Sequence, residues 1–341
     1  MYNILSVLII FIALSSYSIA KCINQTHLSG RAIKTLGLNK YRKVFVDFKG
    51  KYKELTQKTT LSSNKHYHIQ TQDDDDKILN ELLDENYLEY YDYSKMAQYI
   101  SSIKNKLHQF NYKVETVGKS VQGRNLFGIS PTLIDPEKKK IIIFGRQHGD
   151  EGTANYIIEG FLNKIFTNIN QDWHNKFQVI IYPMINPDGA DNRTRYNANG
   201  RDLNREWTQS YIRRNDEIFY ISNHLTPYLK SIKNIVLSLD MHGSFHEDFI
   251  YQVDQNFISI DFFLNQAKFI DILGDYDQWQ NGNAKISNGK DNMARVRLIN
   301  DYSINTLTHE TIRDIPIDEN RTIETLKNQG IDIYNTINNI Y

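Results

Sequence analysis

Four short, mainly apolar runs recur from residue 140 onward, separated by segments in which polar and apolar positions alternate in a helical pattern. Continuous apolar runs of this length are typical of strands that are buried on both faces, and amphipathic segments between them are typical of helices that cover a sheet. The pattern therefore predicts an α/β fold with a covered, largely parallel sheet. The runs are Ile141–Phe144, Val179–Tyr182, Ile235–Leu239 and Ile304–Leu307.

A helix and a hairpin are predicted before the first of these runs. From Ser94, a residue type suited to the N-cap, to Phe110, apolar residues recur mostly every three or four positions, as on an amphipathic helix. Two segments rich in strand-forming residues, 114–117 and 126–129, flank a turn centred on Gly123 and indicate a β-hairpin.

The N-terminus carries a different pattern. Residues 4–14 form an apolar run, and Ser18 and Ala20 place small residues where a signal peptidase reads them, so residues 1–20 are predicted to be a signal peptide. We therefore expect a secreted or periplasmic protein with no stable membrane span after cleavage. A retained anchor is the alternative, because no Lys or Arg precedes the apolar run.

The mature chain is predicted to have two parts. Residues 21–85 read as a small N-terminal accessory region, with strands predicted at 43–48 and 67–69, that ends in an acidic linker. Residues 86–341 hold the helix, the hairpin and the four buried strands. No later segment reaches the roughly 18 apolar residues that are needed to cross a bilayer.

Composition narrows the chemistry. The chain has 341 residues with 40 Lys and Arg against 40 Asp and Glu, and its isoelectric point is about 7.2, so no long-range field steers it onto nucleic acid. A single cysteine, Cys22, excludes an intramolecular disulfide and a cysteine-based zinc ribbon. Any metal site must therefore use histidine and carboxylate side chains.

Polar clusters follow each of the four apolar runs. They are residues 145–151, 186–189, 240–243 and 309–310. Because ligands bind beyond the carboxyl ends of strands in open α/β sheets, we expect these clusters to form one site. The second cluster, Asn-Pro-Asp-Gly, is predicted to be a β-turn that directs the loop after it.

The first cluster contains a candidate pair of metal ligands. A short turn between His148 and Glu151 would let an imidazole and a carboxylate meet at one ion, with His242 as the third ligand from a neighbouring strand. Two histidines and one glutamate leave a fourth position open, which is typical of a catalytic zinc. The alternative for His148 and Glu151 alone is a helix N-terminus capped by acidic groups.

Together these residues resemble the zinc metallocarboxypeptidases of the carboxypeptidase A and B superfamily, and more the small bacterial and cytosolic-type members than the digestive enzymes. The resemblance runs from about Tyr90 to the C-terminus and is most specific over Thr194–Arg205. It implies a three-layer sandwich with a central mixed β-sheet flanked by helices, beside the small N-terminal extension. It also implies one zinc ion per chain, held by His148, Glu151 and His242.

The resemblance further implies roles for five other residues. Glu310 would be the general base, and Arg195 would stabilise the oxyanion, with Arg193 as a competing assignment. Asn204 and Arg205 would bind the terminal carboxylate of the substrate. Asp202 would orient the first ligand histidine.

The expected reaction is hydrolysis of the amide bond before a C-terminal residue. The substrate would be a polypeptide or a peptidoglycan stem peptide with a free C-terminal carboxylate, and the oligomeric state stays open. Basic residues in the segment 285–297 favour an acidic substrate, although they could equally be solvated surface. Two alternatives are a zinc-dependent deacylase or amidase acting on an N-acyl amino acid or muropeptide, and a non-catalytic binding protein on the same fold.

Overall fold

The structure is a computed structural model, and it describes residues 58–62, 65–68, 90–167, 171–208, 216–313 and 321–341. The chain divides into two units, residues 1–89 with 314–319 and residues 90–313 with 320–341. In the first unit, strands β1 (Lys58–Ser62) and β2 (Lys65–His68) pair in antiparallel fashion. Strand β2 overlaps the strand predicted at 67–69. The expected signal peptide, the strand at 43–48 and the boundary at residue 85 lie outside the described residues.

The second unit is built on one eight-stranded sheet with the order β3-β4-β6-β5-β7-β10-β8-β9. Strands β5, β6, β7 and β10 run parallel, whereas β3, β4 and β8 pair in antiparallel fashion with their neighbours β4, β6 and β10 respectively. The expected mixed sheet is therefore confirmed. The strands are β3 (Tyr112–Lys119), β4 (Asn125–Pro131), β5 (Lys139–Gly145), β6 (Phe177–Tyr182), β7 (Ile235–Ser244), β8 (Phe249–Gln252), β9 (Ala284–Ile286) and β10 (Thr306–Ile312).

Helices cover both faces of this sheet. They are α1 (Tyr93–Gln109), α2 (Thr153–Ile165), α3 (Gln171–Lys176), α4 (Pro187–Asp191), α5 (Glu217–Ser231), α6 (Ile260–Tyr276), α7 (Ala294–Tyr302) and α8 (Ile323–Ile340). On one face, Ile142 and Phe144 of β5 share a buried core with Leu225 of α5 and Leu298 of α7. Alternate residues of β5 point to the other face, where α2, α6 and α8 form a layer. This arrangement is the predicted three-layer sandwich.

Glycines allow α2 and α8 to cross at close range. A methyl group on Gly160 of α2 would lie 1.9 Å from the carbonyl oxygen of Lys327, and one on Gly330 of α8 would lie 2.1 Å from the carbonyl oxygen of Ile157. Backbone atoms meet at this crossing, so only a residue without Cβ fits there.

Two local predictions were wrong about where an element begins. The cap of α1 is Asp92, whose carboxylate accepts a hydrogen bond of 2.8 Å from the backbone N–H of Lys95, so Ser94 lies inside the first turn. The predicted β-turn at 186–189 is the start of α4, because the Asn186 side chain caps it and Pro187 suits the first helical position.

The last predicted run also begins later than expected. Strand β10 starts at Thr306, two residues after Ile304, and it extends to Ile312. His309 and Glu310 therefore lie within the strand and do not follow it. Among the described residues, no helix is both long enough and apolar enough to span a bilayer.

Candidate metal centre

Three buried side chains converge at the carboxyl ends of β5 and β7. The Nδ1 atom of His148 lies 2.8 Å from one carboxylate oxygen of Glu151, and Nδ1 of His242 lies 2.9 Å from the other. The two imidazole Nδ1 atoms are 3.1 Å apart. His148 and Glu151 come from the turn after β5, and His242 lies within β7. The structure thus brings together the three residues that were predicted as metal ligands.

The outer nitrogen of each ligand histidine faces a carboxylate. Nε2 of His148 is 3.0 Å from Asp202 Oδ1, and Nε2 of His242 is 3.0 Å from Asp240 Oδ2. An ionised carboxylate can only accept hydrogen bonds, so each Nε2 that faces one carries a proton. In a neutral imidazole the other nitrogen, Nδ1, is then unprotonated and presents a lone pair. Two such lone pairs and the Glu151 carboxylate would repel one another unless a cation lay between them. The donor set therefore fits a zinc ion.

The charges of the metal-free site lead to the same conclusion. Burial alone would lower the pKa of His242, but Asp240 and Glu151 raise that pKa well above its ordinary value. Burial would raise the pKa of Glu151, yet the imidazoles of His148 and His242 hold that pKa well below its usual range. A proton on His242 thus supplies the positive charge when no metal is bound, so metal binding should release a proton.

Arg195 lies directly beside the ligands. Its Nε and Nη2 atoms donate hydrogen bonds of 3.0 and 2.8 Å to Asp202 Oδ2, while Nη1 lies 3.0 Å from Nδ1 of His148. Burial would raise the pKa of Asp202, but His148 and Arg195 lower it overall. The guanidinium of Arg193 instead lies over the ring of Tyr90, 4.3 Å from its centroid. Of the two candidate arginines, Arg195 is therefore the one at the site.

Asn204 and Arg205 lie on a short 3₁₀ turn, Leu203–Arg205, whose N-cap is Asp202. Asn204 is buried: its Oδ1 accepts a hydrogen bond of 3.0 Å from the backbone N–H of Ala294, and its Nδ2 lies 3.1 Å from His242 Nε2. Arg205 is half-buried, and its Nη1 donates to the Asn204 carbonyl oxygen at 2.7 Å. Among the described residues, no acceptor faces the other two guanidinium nitrogens of Arg205.

Glu310 lies on β10 next to the third ligand. It pairs in register with His242 on the neighbouring parallel strand, so the two side chains project from the same face of the sheet. Burial raises the pKa of Glu310 to about 7; Glu151 and Asp240 also raise it, and the imidazoles of His242 and His148 oppose them. Glu310 is not one of the three converging ligands. Glu310 is thus a carboxyl group outside the ligand set whose pKa is raised by burial in the metal-free protein.

Two residues at the site were missed from the sequence. Asp240 is fully buried, and a pattern does point to it, because it lies two positions before His242 and so faces the same side of the strand. Arg295 at the start of α7 had been noticed only as part of a basic segment. Arg295 is 1% exposed, and its Nη1 donates to the Ser287 carbonyl oxygen at 2.7 Å.

The surroundings of Arg295 are unusual for a buried cation. Burial lowers its pKa to about 10, opposed by the charges of Asp240, Tyr251 and Glu310. Its buried Nε has no hydrogen-bond acceptor among the described residues. Sequence patterns could not show that Arg295 is buried, because its burial depends on the packing of α7 against the sheet.

Comparison with known proteins agrees with this geometry. The family model for zinc carboxypeptidases matches residues 96–257. Cytosolic carboxypeptidase 2 of Macaca fascicularis is 24% identical over 270 residues, which cover 72% of this chain and 32% of that protein. The human protein of the same name is also 24% identical, over 268 residues. This chain thus spans about a third of the length of these curated relatives.

Solved structures share the fold. A metallo-carboxypeptidase from Burkholderia cenocepacia superposes with a TM-score of 0.62 at 20% identity, covering 73% of this chain and 69% of that one. Carboxypeptidase A from Helicoverpa armigera superposes with a TM-score of 0.57 at 16% identity, covering 80% and 81% of the two chains. At these identities the likeness establishes the fold.

Proposed function

We propose that this chain, whose residues 96–257 match the family model for zinc carboxypeptidases, hydrolyses the amide bond before the C-terminal residue of a peptide. The observation that carries the proposal is the convergence of His148, Glu151 and His242 beside Glu310, a carboxyl group outside that ligand set with a pKa raised to about 7. Two histidines and a glutamate leave zinc an open position. A cation position and a separate base are the two parts that metal-assisted hydrolysis needs.

In this reaction one side chain transfers the proton and another stabilises the negative charge that develops. Bound zinc would polarise the scissile carbonyl and acidify the attacking water. Glu310 takes a proton from that water as the new C–O bond forms, and it gives the proton to the amine nitrogen as the C–N bond breaks. Arg195 donates hydrogen bonds to the carbonyl oxygen as negative charge develops there. Asp202 keeps both Arg195 and His148 in place through its two oxygens.

The position of Arg205 supports the proposal that the substrate has a free C-terminal carboxylate. Nε and Nη2 of Arg205 have no acceptor among the described residues, whereas its Nη1 is fixed by the Asn204 carbonyl oxygen. A guanidinium fixed at one nitrogen and open at two others suits a carboxylate, which accepts two parallel hydrogen bonds. Asn204 has its amide oxygen occupied by Ala294, so it orients this turn as well as facing His242.

The test uses purified protein, peptides with a free C-terminal carboxylate and the same peptides as C-terminal amides. We expect release of a single residue from the free acids, loss of activity with a chelator, recovery with zinc, and roughly hundredfold slower cleavage of the amides. Mass spectrometry identifies the products. Cleavage that a chelator does not affect, or equal cleavage of acid and amide, would refute the proposal. Activity confined to N-acyl amino acids would instead identify a deacylase.

The substrate that we propose ends in an acidic residue, either in a polypeptide or in a peptidoglycan stem peptide. Arg295 supports this, because a buried guanidinium that lacks a paired carboxylate is costly unless a bound anion neutralises it. The charges of Asp240 and Glu310 raise the pKa of Arg295, which supports a position near the proposed general base. A side-chain carboxylate of glutamate, aspartate or diaminopimelate would supply the missing acceptor. Purified muropeptides and acidic peptides, assayed side by side, distinguish the two sources.

Arg295→Gln should change this preference. We expect kcat/KM for a peptide ending in glutamate to fall about a hundredfold relative to one ending in leucine, because a charge-assisted contact is lost. The control is Arg297→Gln, two residues further along α7, where the partly exposed guanidinium has its Nε 3.5 Å from Asp301 and donates from Nη1 to the Trp207 carbonyl oxygen. That variant should keep the ratio of the two substrates unchanged. Equal losses on both peptides with Arg295→Gln would show that Arg295 does not select the side chain.

We also propose that the protein is exported, to the periplasm or the medium. The support is the apolar run at residues 4–14 followed by Ser18 and Ala20. The curated relatives, by contrast, are named as cytosolic proteins. Fractionation of cells that produce the full chain, with mass analysis of its N-terminus, tests this proposal. Export predicts a new N-terminus at Lys21 in the extracytoplasmic fraction. An intact N-terminus in the cytosol would contradict it.

A further inference from the structure

A continuous row of buried side chains leads from the hydrophobic core to His242. The indole N–H of Trp207 donates to Gln147 Oε1 at 2.6 Å, and Gln147 Nε2 donates to Asp240 Oδ1 at 2.6 Å. The other oxygen of Asp240 lies 3.0 Å from Nε2 of His242. All four side chains are at most 2% exposed. Water therefore does not compete for these hydrogen bonds, and each must be satisfied within the protein.

The chemistry of the groups fixes the direction of every bond in the row. An indole N–H can only donate, so the amide oxygen of Gln147 must face Trp207 and its NH₂ must face Asp240. Asp240 accepts at Oδ1 from Gln147, which leaves Oδ2 to accept the Nε2 proton of His242. The ring of His242 is thereby held in the orientation that presents Nδ1 to Glu151. Trp207 is itself fixed by an edge-to-face contact with Phe144 of β5.

The two ligand histidines are held in different ways. His148 lies on a loop, and its carboxylate partner Asp202 is 19% exposed in its side chain and shared with Arg195. His242 lies on a strand, and its partner Asp240 is inaccessible to solvent and has Gln147 behind it. Gln147 also directly precedes His148 in the chain. A single backbone segment therefore provides one ligand and supports the orientation of another.

We propose that Gln147 and Trp207 are positioning residues that set the zinc affinity of His242 through Asp240. The proposal rests on the proposed zinc site and deepens it. Residues that orient a ligand histidine from behind typically change metal affinity by 10- to 100-fold when they are removed. Gln147 should thus affect zinc binding although it is not a ligand, and Trp207 should act through Gln147.

Gln147→Met is the direct test, because methionine has a similar shape but cannot form the two hydrogen bonds. With zinc as the probe and a chromophoric chelator as competitor, we expect the dissociation constant of Gln147→Met to rise about tenfold. Trp207→Phe should raise it about threefold. The double variant should bind no more weakly than Gln147→Met, since coupled residues are not additive. The visible absorption of the cobalt-substituted protein should change in each variant, because its bands report ligand geometry.

The matched control is Gln266→Met on α6. Gln266 is equally buried and also forms two hydrogen bonds, accepting from Val253 N at 2.9 Å and donating to the Thr306 carbonyl oxygen at 3.0 Å. This variant should lose stability without a change in zinc affinity or in the cobalt spectrum. Wild-type affinity and spectrum in folded Gln147→Met would overturn the inference.

The outcomes separate this inference from the proposed function. A wild-type protein that binds zinc tightly but releases no C-terminal residue would refute the carboxypeptidase assignment and leave the positioning role measurable by affinity. A wild-type protein that binds no zinc would refute both.

Discussion

Glu310→Gln is expected to lower kcat about a thousandfold while the affinity for zinc stays within a few-fold of wild type. Glutamine has nearly the shape of glutamate but cannot accept the proton of the attacking water, and a positioned general base contributes between about 10² and 10⁴ in rate. Glu310 lies outside the ligand set, which is why metal binding should survive. Steady-state kinetics on an acidic peptide and a zinc competition titration measure the two quantities. Activity within tenfold of wild type would show that another group is the base.

The pH profile adds a second, independent prediction for the same residue. Burial raises the pKa of Glu310 to about 7 in the metal-free protein, and the positive charge of zinc should lower that value in the loaded enzyme. Because only the ionised carboxylate accepts a proton, kcat/KM should fall as the pH drops through this pKa, and the acidic limb should lie below pH 7. This limb should be missing from the residual activity of Glu310→Gln.

A buried glutamate elsewhere provides the control for both experiments. Glu217, at the start of α5, has a pKa raised to about 8 by burial and by its neighbour Asp216. It accepts hydrogen bonds from Asn197 and from the backbone N–H of Val121, and it is not one of the three converging ligands. Glu217→Gln should therefore keep both the rate and the acidic limb of wild type. Loss of the limb in this variant would mean that protein stability, and not a catalytic group, sets the pH profile.

The site could be predicted from sequence because its residues lie close to the ends of recognisable apolar runs. The spacing of His148 and Glu151, with His242 in a later run, was sufficient to identify a possible ligand set that the structure brings together. The sequence did not show which strands lie next to one another in the sheet. Apolar runs indicate which residues are buried, but not that β10 pairs with β7 in a register that sets Glu310 beside His242. That register arises from long-range packing.

The failures at element boundaries have local physical causes. Asp92 and Ser94 are both good N-cap residues, and only the geometry of the incoming chain decides that the Asp92 carboxylate captures the Lys95 N–H. Asn-Pro-Asp-Gly suits both a β-turn and the first turn of a helix, since proline fixes the same φ in each. Here the Asn186 side chain accepts from the backbone N–H of Gly189, which favours the helix. The short edge strand β9 has only three residues, all of them exposed, so no run of apolar residues indicated it.

Gly149→Ala is expected to lower both the stability of the protein and its affinity for zinc, although it leaves every charged group in place. A Cβ at this position, between the ligands His148 and Glu151, would lie 2.0 Å from the carbonyl carbon of Gly189 and 2.4 Å from the backbone nitrogen of Ala190. Both are backbone atoms, so no side-chain rotation relieves the overlap. The ligand loop and α4 would have to separate.

Tyr90 resists that separation. Its hydroxyl lies 2.9 Å from the carbonyl oxygen of Gly149 and 2.6 Å from that of Ala190, and it accepts a hydrogen bond from Arg146. The overlap must therefore be relieved by moving the ligand loop against these contacts. We expect Gly149→Ala to lower the free energy of unfolding by about 3 kcal/mol and to weaken zinc binding at least tenfold, measured by denaturant titration and by chelator competition.

Gly152→Ala is the matched control, one residue past Glu151. Gly152 has ordinary helical φ and ψ angles of −65° and −28°, and a Cβ there would lie 3.3 Å from Nη1 of Arg146, so the guanidinium would have to shift by a few tenths of an ångström and no backbone atom is overlapped. This variant should bind zinc as wild type does, with a change in stability below about 1 kcal/mol. Equal zinc affinity in the two variants would mean that the ligand loop tolerates displacement from α4. The close backbone contact at Gly149 would then have no role in holding His148 and Glu151 together.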